Sequence, residues 1–143
     1  MTVTTAMPIG TDLEIPHVLV INDTQEILDL FRDILEDEGY RVSLYSYAFK
    51  DVKEIQPLQP DLVIIDFIIG GEAHGWQMLQ KMKMNRDTAK IPIIACTAAI
   101  QMVKDLEGHL TSKNVRIILK PFDIDDLLAE VRIALSGKHE VAT

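Results

Sequence analysis

Five polar side chains stand at the ends of apolar runs, and their types together suit the handling of phosphate. Asn22 and Asp23 follow residues 18–21, Asp66 follows Leu62–Ile65, Thr97 closes Ile93–Thr97, and Lys120 closes residues 115–120 ahead of Pro121. Apolar runs of about five residues without alternation fit parallel strands covered on both faces of a sheet. In a doubly wound α/β fold, ligands bind outside the carboxyl ends of the strands, where the strand order reverses. Strands laid side by side would gather two carboxylates, an amide, a hydroxyl and an ammonium into one small site. Oxygen ligands of this kind suit a hard divalent cation. The ammonium suits the oxygens of a phosphoryl group.

The segments between these runs carry the signals of helices that would position them. Residues 25–38 place Ile27, Leu30, Phe31, Ile34 and Leu35 at i, i+3, i+4, i+7 and i+8, a core-facing stripe that leaves Leu28 to one side. Gly39 stands where a left-handed residue ends a helix. Arg41–Tyr45 reads as a short second strand, and 47–55 as a weak helix ended by Pro57 and Pro60. A glycine-rich loop at 70–75 leads into a helix over 76–84, with Met78, Leu79 and Met82 inward. His74 falls in that loop and reads as solvated, since one histidine without a partner makes a poor metal site. Pro92 opens the fourth strand. Further helices are expected over 99–110 and 124–135, the last with Asp123 as its N-cap. Strands alternating with helices give a single α/β domain with helices on both faces of a parallel five-stranded sheet. The expected division is a flexible lead over 1–16, the domain over 17–136 and a polar, frayed tail over 137–143.

The chain has 143 residues, enough for one domain with a self-sufficient core. Its 22 acidic against 14 basic residues give a net charge of −8, which argues against direct binding to nucleic acid or to an anionic membrane. No apolar run approaches the ~20 residues that span a bilayer. The opening residues lack the basic and apolar parts of a secretory signal, so the cytoplasm is the expected compartment. The single cysteine, Cys96, lies inside an apolar run and reads as a small buried hydrophobe.

Asp23, Asp66, Thr97-Ala98 and Lys120-Pro121-Phe122, in that order and each behind its strand, closely resemble the response regulator receiver domain, of the stand-alone CheY-like type. The resemblance covers residues 17–136. It implies a flavodoxin-like (βα)5 fold with strand order 2-1-3-4-5. It also implies a phosphoryl group accepted on Asp66 from a histidine kinase or a histidine phosphotransfer protein. Asp66, Thr97 and Lys120 would carry the transfer. Mg²⁺ would be held by Asp23, Asp66 and the backbone carbonyl of Ile68, with Asn22 a weak further donor. The peptide before Pro121 is expected to be cis. No output domain is expected after Leu135, so a separate, unknown downstream protein would read the signal.

Several positions depart from the family pattern. Asn22 replaces the first member of the usual acidic pair, and Ile69-Gly70 replace the usual Met-Pro. Gly75 comes one residue late, and Ile117 stands where an aromatic is usual. Two of these departures, Asn22 and Ile117, motivate an alternative, a receiver-like interaction module that signals without phosphorylation. An aspartate-nucleophile phosphohydrolase would want an acid at Ile68, and a dinucleotide enzyme would want glycines after the first strand. Both enzyme classes are set aside.

Overall fold

The computed structural model describes residues 15–46, 52–112 and 114–142. Five strands, β1 (His17–Ile21), β2 (Arg41–Tyr45), β3 (Leu62–Ile65), β4 (Ile93–Thr97) and β5 (Val115–Leu119), form one sheet of order β2-β1-β3-β4-β5. All four neighbouring pairs are parallel. Helices α1 (Gln25–Asp37), α2 (His74–Met84), α3 (Ile100–Ser112) and α4 (Ile124–Ala142) lie between and after the strands.

Successive strand side chains point to opposite faces, and the sequence fills both. Leu19, Ile21, Val63, Ile65 and Ile93 pack with Met78, Leu79 and Met82 of α2 and Val103 of α3. Val18, Val20, Leu62, Ile64 and Ile94 pack on the other side with Leu28, Phe31 and Leu35 of α1 and Leu127 and Val131 of α4. Burial on both faces accounts for strands that are apolar at every position. Because β1 is hydrogen-bonded to β2 on one side and β3 on the other, the strand order reverses there. The register Ile21↔Ile65 sets the ends of β1 and β3 level, and Thr97↔Leu119 does the same for β4 and β5.

Gly39 ends α1 as expected, with φ +92°. Its N–H donates to the Glu36 carbonyl and the Tyr40 N–H to the Leu35 carbonyl, the two bonds of a Schellman motif. Leu127 N–H donates to the Asp123 carbonyl at 3.1 Å, which places Asp123 at the cap of α4.

Four expectations need correction. The core stripe of α1 is Leu28, Phe31 and Leu35, with Leu30 50% exposed. At about 100° per residue, Leu28 and Leu30 stand about 160° apart, so only one of them can face the sheet. Leu28 is therefore core. The weak helix over 47–55 falls partly outside the described residues, and what is described there is two 3₁₀ turns, Val52–Glu54 and Gln56–Leu58, the second containing Pro57. Helix α2 begins at His74, so His74 is its first residue rather than part of a loop. Helix α4 continues through Ala142, taking in residues expected to be a frayed tail.

Replacing Leu28 should open a cavity between α1 and the sheet. Leu28→Ala is expected to lower stability by about 2–5 kcal/mol, and Leu30→Ala to change it by no more than about 0.5 kcal/mol. Urea unfolding of the two variants checks this, and the reverse ranking would restore the stripe first expected.

Candidate functional site

Asp66 directly follows β3, and its side chain is only 14% exposed. Lys120 follows β5, two strands away across β4. Alternate strands lie about 10 Å apart, so only a long side chain can bridge the gap. The Lys120 Nζ donates to Asp66 Oδ2 at 2.7 Å. Its backbone is fixed as well: the Lys120 N–H donates to the Thr97 carbonyl at 2.9 Å, and the Lys120–Pro121 peptide is cis, as expected. Asp66 Oδ1 accepts the Ile68 N–H at 3.1 Å.

Asp23 follows β1 and is exposed, with Oδ2 accepting the Gly70 N–H at 2.8 Å. Asn22 beside it is 5% exposed and serves the turn. Its Oδ1 accepts the Thr24 N–H at 2.9 Å, and its own N–H donates to the Tyr45 carbonyl at 3.1 Å. The turn leads straight into α1, whose cap Thr24 makes no side-chain capping bond of its own. Thr97 is fully buried, and its Oγ1 accepts the Ala99 N–H at 3.0 Å. Ile68 is 37% exposed. Burial pushes the Cys96 thiol up to about 11, with Lys120 pulling it down and Asp66 pushing it up, so Cys96 stays a protonated, buried packing group.

The structure thus brings Asp66 and Lys120 into direct contact, sets Thr97 on the backbone of Lys120, and links Asp23 to the loop that follows Asp66. His74 stands apart: its Nε2 lies 3.8 Å from Glu72 Oε2, and both side chains are well exposed. Among the described residues no three His, Cys, Asp or Glu side chains stand together as a metal cage. A cation here would draw on two carboxylates, backbone oxygen and water. Mg²⁺ accepts that donor set, since it keeps several waters and takes one or two carboxylates. Each Asp66 oxygen holds one donor, and a carboxylate has about four lone-pair sites, so capacity remains.

Two contacts have no counterpart in the sequence reading. The first is the Gly70 N–H on Asp23. Gly70 and Gly71 have φ of +68° and +77°, and paired backbone bonds between Ile69 and Glu72 close the turn around them. This turn takes up the extra residue that delays Gly75. The second is the approach of Gly75 to β3, so close that a Cβ there would overlap the Asp66 carbonyl oxygen. The next residue anchors the same junction: the Trp76 N–H donates to the Phe67 carbonyl at 3.1 Å, and its ring meets Phe67 edge-on at 5.6 Å. The glycine pair was the available signal for the turn. A backbone donor leaves no residue-type signal of its partner, so the bond to Asp23 has none.

Comparison with known proteins gives a consistent result. The family model for the response regulator receiver domain matches residues 18–132. The DNA-binding dual master transcriptional regulator RpaA of Synechocystis is 32% identical over 120 residues, covering 84% of this chain and 49% of its own length. The chain therefore spans about half the length of that relative. Among solved structures, a CheY-like receiver domain protein from Methanospirillum hungatei aligns with a TM-score of 0.76 at 23% identity, over 89% of this chain and 98% of its own. The response regulator TrrA of Thermotoga maritima, in complex with Mg²⁺ and BeF, aligns at 0.71 and 24% identity, over 85% of this chain and 100% of its own. At such identities the two structures establish the fold. Among the described residues, no helix is long and apolar enough to cross a membrane.

Gly75→Ala is expected to push α2 off the end of β3, lowering stability by about 1–3 kcal/mol and red-shifting Trp76 fluorescence as its contact with Phe67 loosens. Thermal unfolding and emission spectra check both, and an unchanged protein would mean that this approach carries no constraint.

Proposed function

The chain belongs to the response regulator receiver family, and on that premise we propose that Asp66 accepts a phosphoryl group from the phosphohistidine of a histidine kinase or a histidine phosphotransfer protein. An Asp66 oxygen attacks phosphorus, the P–N bond of the donor breaks, and the imidazole nitrogen leaves with its electron pair. The product is an aspartyl phosphate, a covalent intermediate of a kind that carboxylates form. The 2.7 Å contact between Lys120 Nζ and Asp66 Oδ2 carries this reading, because it sets a cation where the phosphoryl oxygens would arrive. Asp23, Asp66 and the Ile68 carbonyl, with Asn22 as a weaker donor, would hold Mg²⁺. Bound there, Mg²⁺ neutralises charge on the phosphoryl oxygens and between the carboxylates.

Thr97 supplies the readout. Its hydroxyl accepts from Ala99 N–H, which leaves the hydroxyl proton available for donation. Donating to a phosphoryl oxygen would draw the start of α3 toward Asp66. A downstream protein would then meet an altered surface. In Ile117, half-buried against the core, the reading has an aliphatic group that can only repack. That residue is also what favours the second reading, an interaction module that works without phosphorylation. The exchange is assigned to the cytoplasm on the strength of the family, with neither nucleic acid nor membrane as a direct partner of this segment.

Leu28, left off the expected stripe, would suit an apolar patch that docks the phosphodonor, but it is buried; the docking role passes to Leu30, 50% exposed on α1, and Ile124, 53% exposed at the start of α4. The Phe31–Phe122 ring contact at 6.0 Å joins α1 to the segment that leads from β5 into α4.

Intact-mass measurement with a small-molecule phosphodonor and Mg²⁺ tests the acceptor. One phosphoryl group should add to the native chain and none to Asp66→Asn; an equal gain in both would remove Asp66 from the role. The adduct should decay over minutes to hours, because Ile68 and Ala99 offer no polar side chain to orient an attacking water. Decay within seconds would contradict that. Leu30→Glu should slow transfer from a protein donor and leave small-molecule phosphorylation unchanged, and equal slowing of both would mean a structural role.

A further inference from the structure

One short stretch of backbone holds both carboxylates of the site. The Ile68 N–H donates to Asp66 Oδ1 at 3.1 Å and the Gly70 N–H to Asp23 Oδ2 at 2.8 Å. Between them, the Ile69 N–H is taken by the Glu72 carbonyl at 2.9 Å, closing the glycine turn. Three consecutive amides are therefore engaged, and the outer two reach carboxylates that follow different strands. Bonds from backbone N–H to an ionised carboxylate are stronger than neutral ones. The turn that aims the Gly70 amide requires positive φ at both of its central residues, which glycine supplies without steric cost. A proline at position 70, the residue of the family pattern, has no N–H and could not make this contact.

We propose that Gly70 is a positioning residue whose amide holds Asp23 oriented for a divalent cation before the cation arrives. The inference rests on the reading of Asp23 as a Mg²⁺ ligand. Asp23 lies on an exposed turn, where a free carboxylate would rotate and would lose that freedom on binding. A side chain already held loses less. The Thr24 hydroxyl reaches Oδ1 only at 3.4 Å, against 2.8 Å for the Gly70 N–H on Oδ2, and with one donor on each oxygen the carboxylate keeps lone pairs open to metal. The stretch is tied at both ends, and it carries the Ile68 carbonyl between its two outer amides.

The test uses Gly71→Val, Gly71→Asn and Gly70→Pro, with Mg²⁺ affinity read by calorimetry and the Gly70 or neighbouring amide resonances by NMR. A Cβ at Gly71 meets nothing within 4 Å, so the first two variants differ in backbone preference rather than in clash. Asparagine tolerates a positive φ and a β-branched residue does not. Gly71→Val and Gly70→Pro should each weaken Mg²⁺ binding about three- to tenfold, whereas Gly71→Asn should stay close to the native affinity. Gly70→Pro removes the donor outright, so native affinity in that variant overturns the proposal however the turn responds to valine. Asp23→Asn separates the two levels. If it leaves Mg²⁺ affinity unchanged, the metal role of Asp23 falls and the proposal falls with it. If it weakens binding while Gly70→Pro does not, only the role of Gly70 is lost.

Discussion

The contact between the Lys120 ammonium and the Asp66 carboxylate at 2.7 Å is the interaction on which the site depends. It joins the ends of β3 and β5 across β4, so it exists only if those three strands are adjacent, parallel and in the observed register. Both side chains are largely withdrawn from water, 14% exposed for Asp66 and 29% for Lys120. Removing one partner of such a pair leaves the other charge poorly solvated. The surrounding bonds hold the pair in place. The Thr97 carbonyl fixes the Lys120 backbone, the Ile68 N–H takes the second oxygen of Asp66, and Gly75 lets α2 close against the strand end.

The same constraint explains what could be read from the sequence. Residues at strand ends are set by the strands themselves, and an uninterrupted apolar run marks a strand buried on both faces. The strand pattern therefore places Asp66, Thr97 and Lys120 at neighbouring strand ends, where the structure has Lys120 bonded to both of the others, and helical spacing turns Met78, Leu79 and Met82 inward. Helix α1 was harder. It carries apolar residues at 27, 28, 30, 31, 34 and 35, which make two overlapping stripes, and only contact with the sheet selects the one containing Leu28. The start of α2 was missed because its cap, Ala73, makes no side-chain bond and leaves no capping signature. The end of α4 was missed because Ser136 and Gly137 resemble a stop signal, yet the helix runs through them. The Gly70–Asp23 bond joins a backbone amide to a distant loop, and a backbone donor carries no residue-type signature.

The departures from the family pattern fall into a coherent arrangement around Asp23. Asn22 spends its amide oxygen on the turn into α1, so Asp23 is the one carboxylate left at the end of β1. That carboxylate receives an N–H from the loop that follows the phosphoacceptor candidate. The site has lost a negative charge and gained a dipole aimed at the charge that remains. The amide at position 22 leaves two carboxylates in the site instead of three, and the Gly70 N–H offsets part of the charge on Asp23 that Asp66 faces.

On the proposed function, phosphorylation of Asp66 would reach α3 through Thr97. Phosphorylation can shift an equilibrium only through contacts that differ between two states, and the bond from Ala99 N–H to Thr97 Oγ1 is the contact placed to change. Amide NMR spectra recorded with and without Mg²⁺ and beryllofluoride, a mimic of the phosphoryl group, test this directly. The Ala99 resonance and those of the following residues to Met102 should move together with Phe67 and Ile68. Movement at Phe67 and Ile68 with Ala99 unmoved would show an occupied but uncoupled site, and would contradict it.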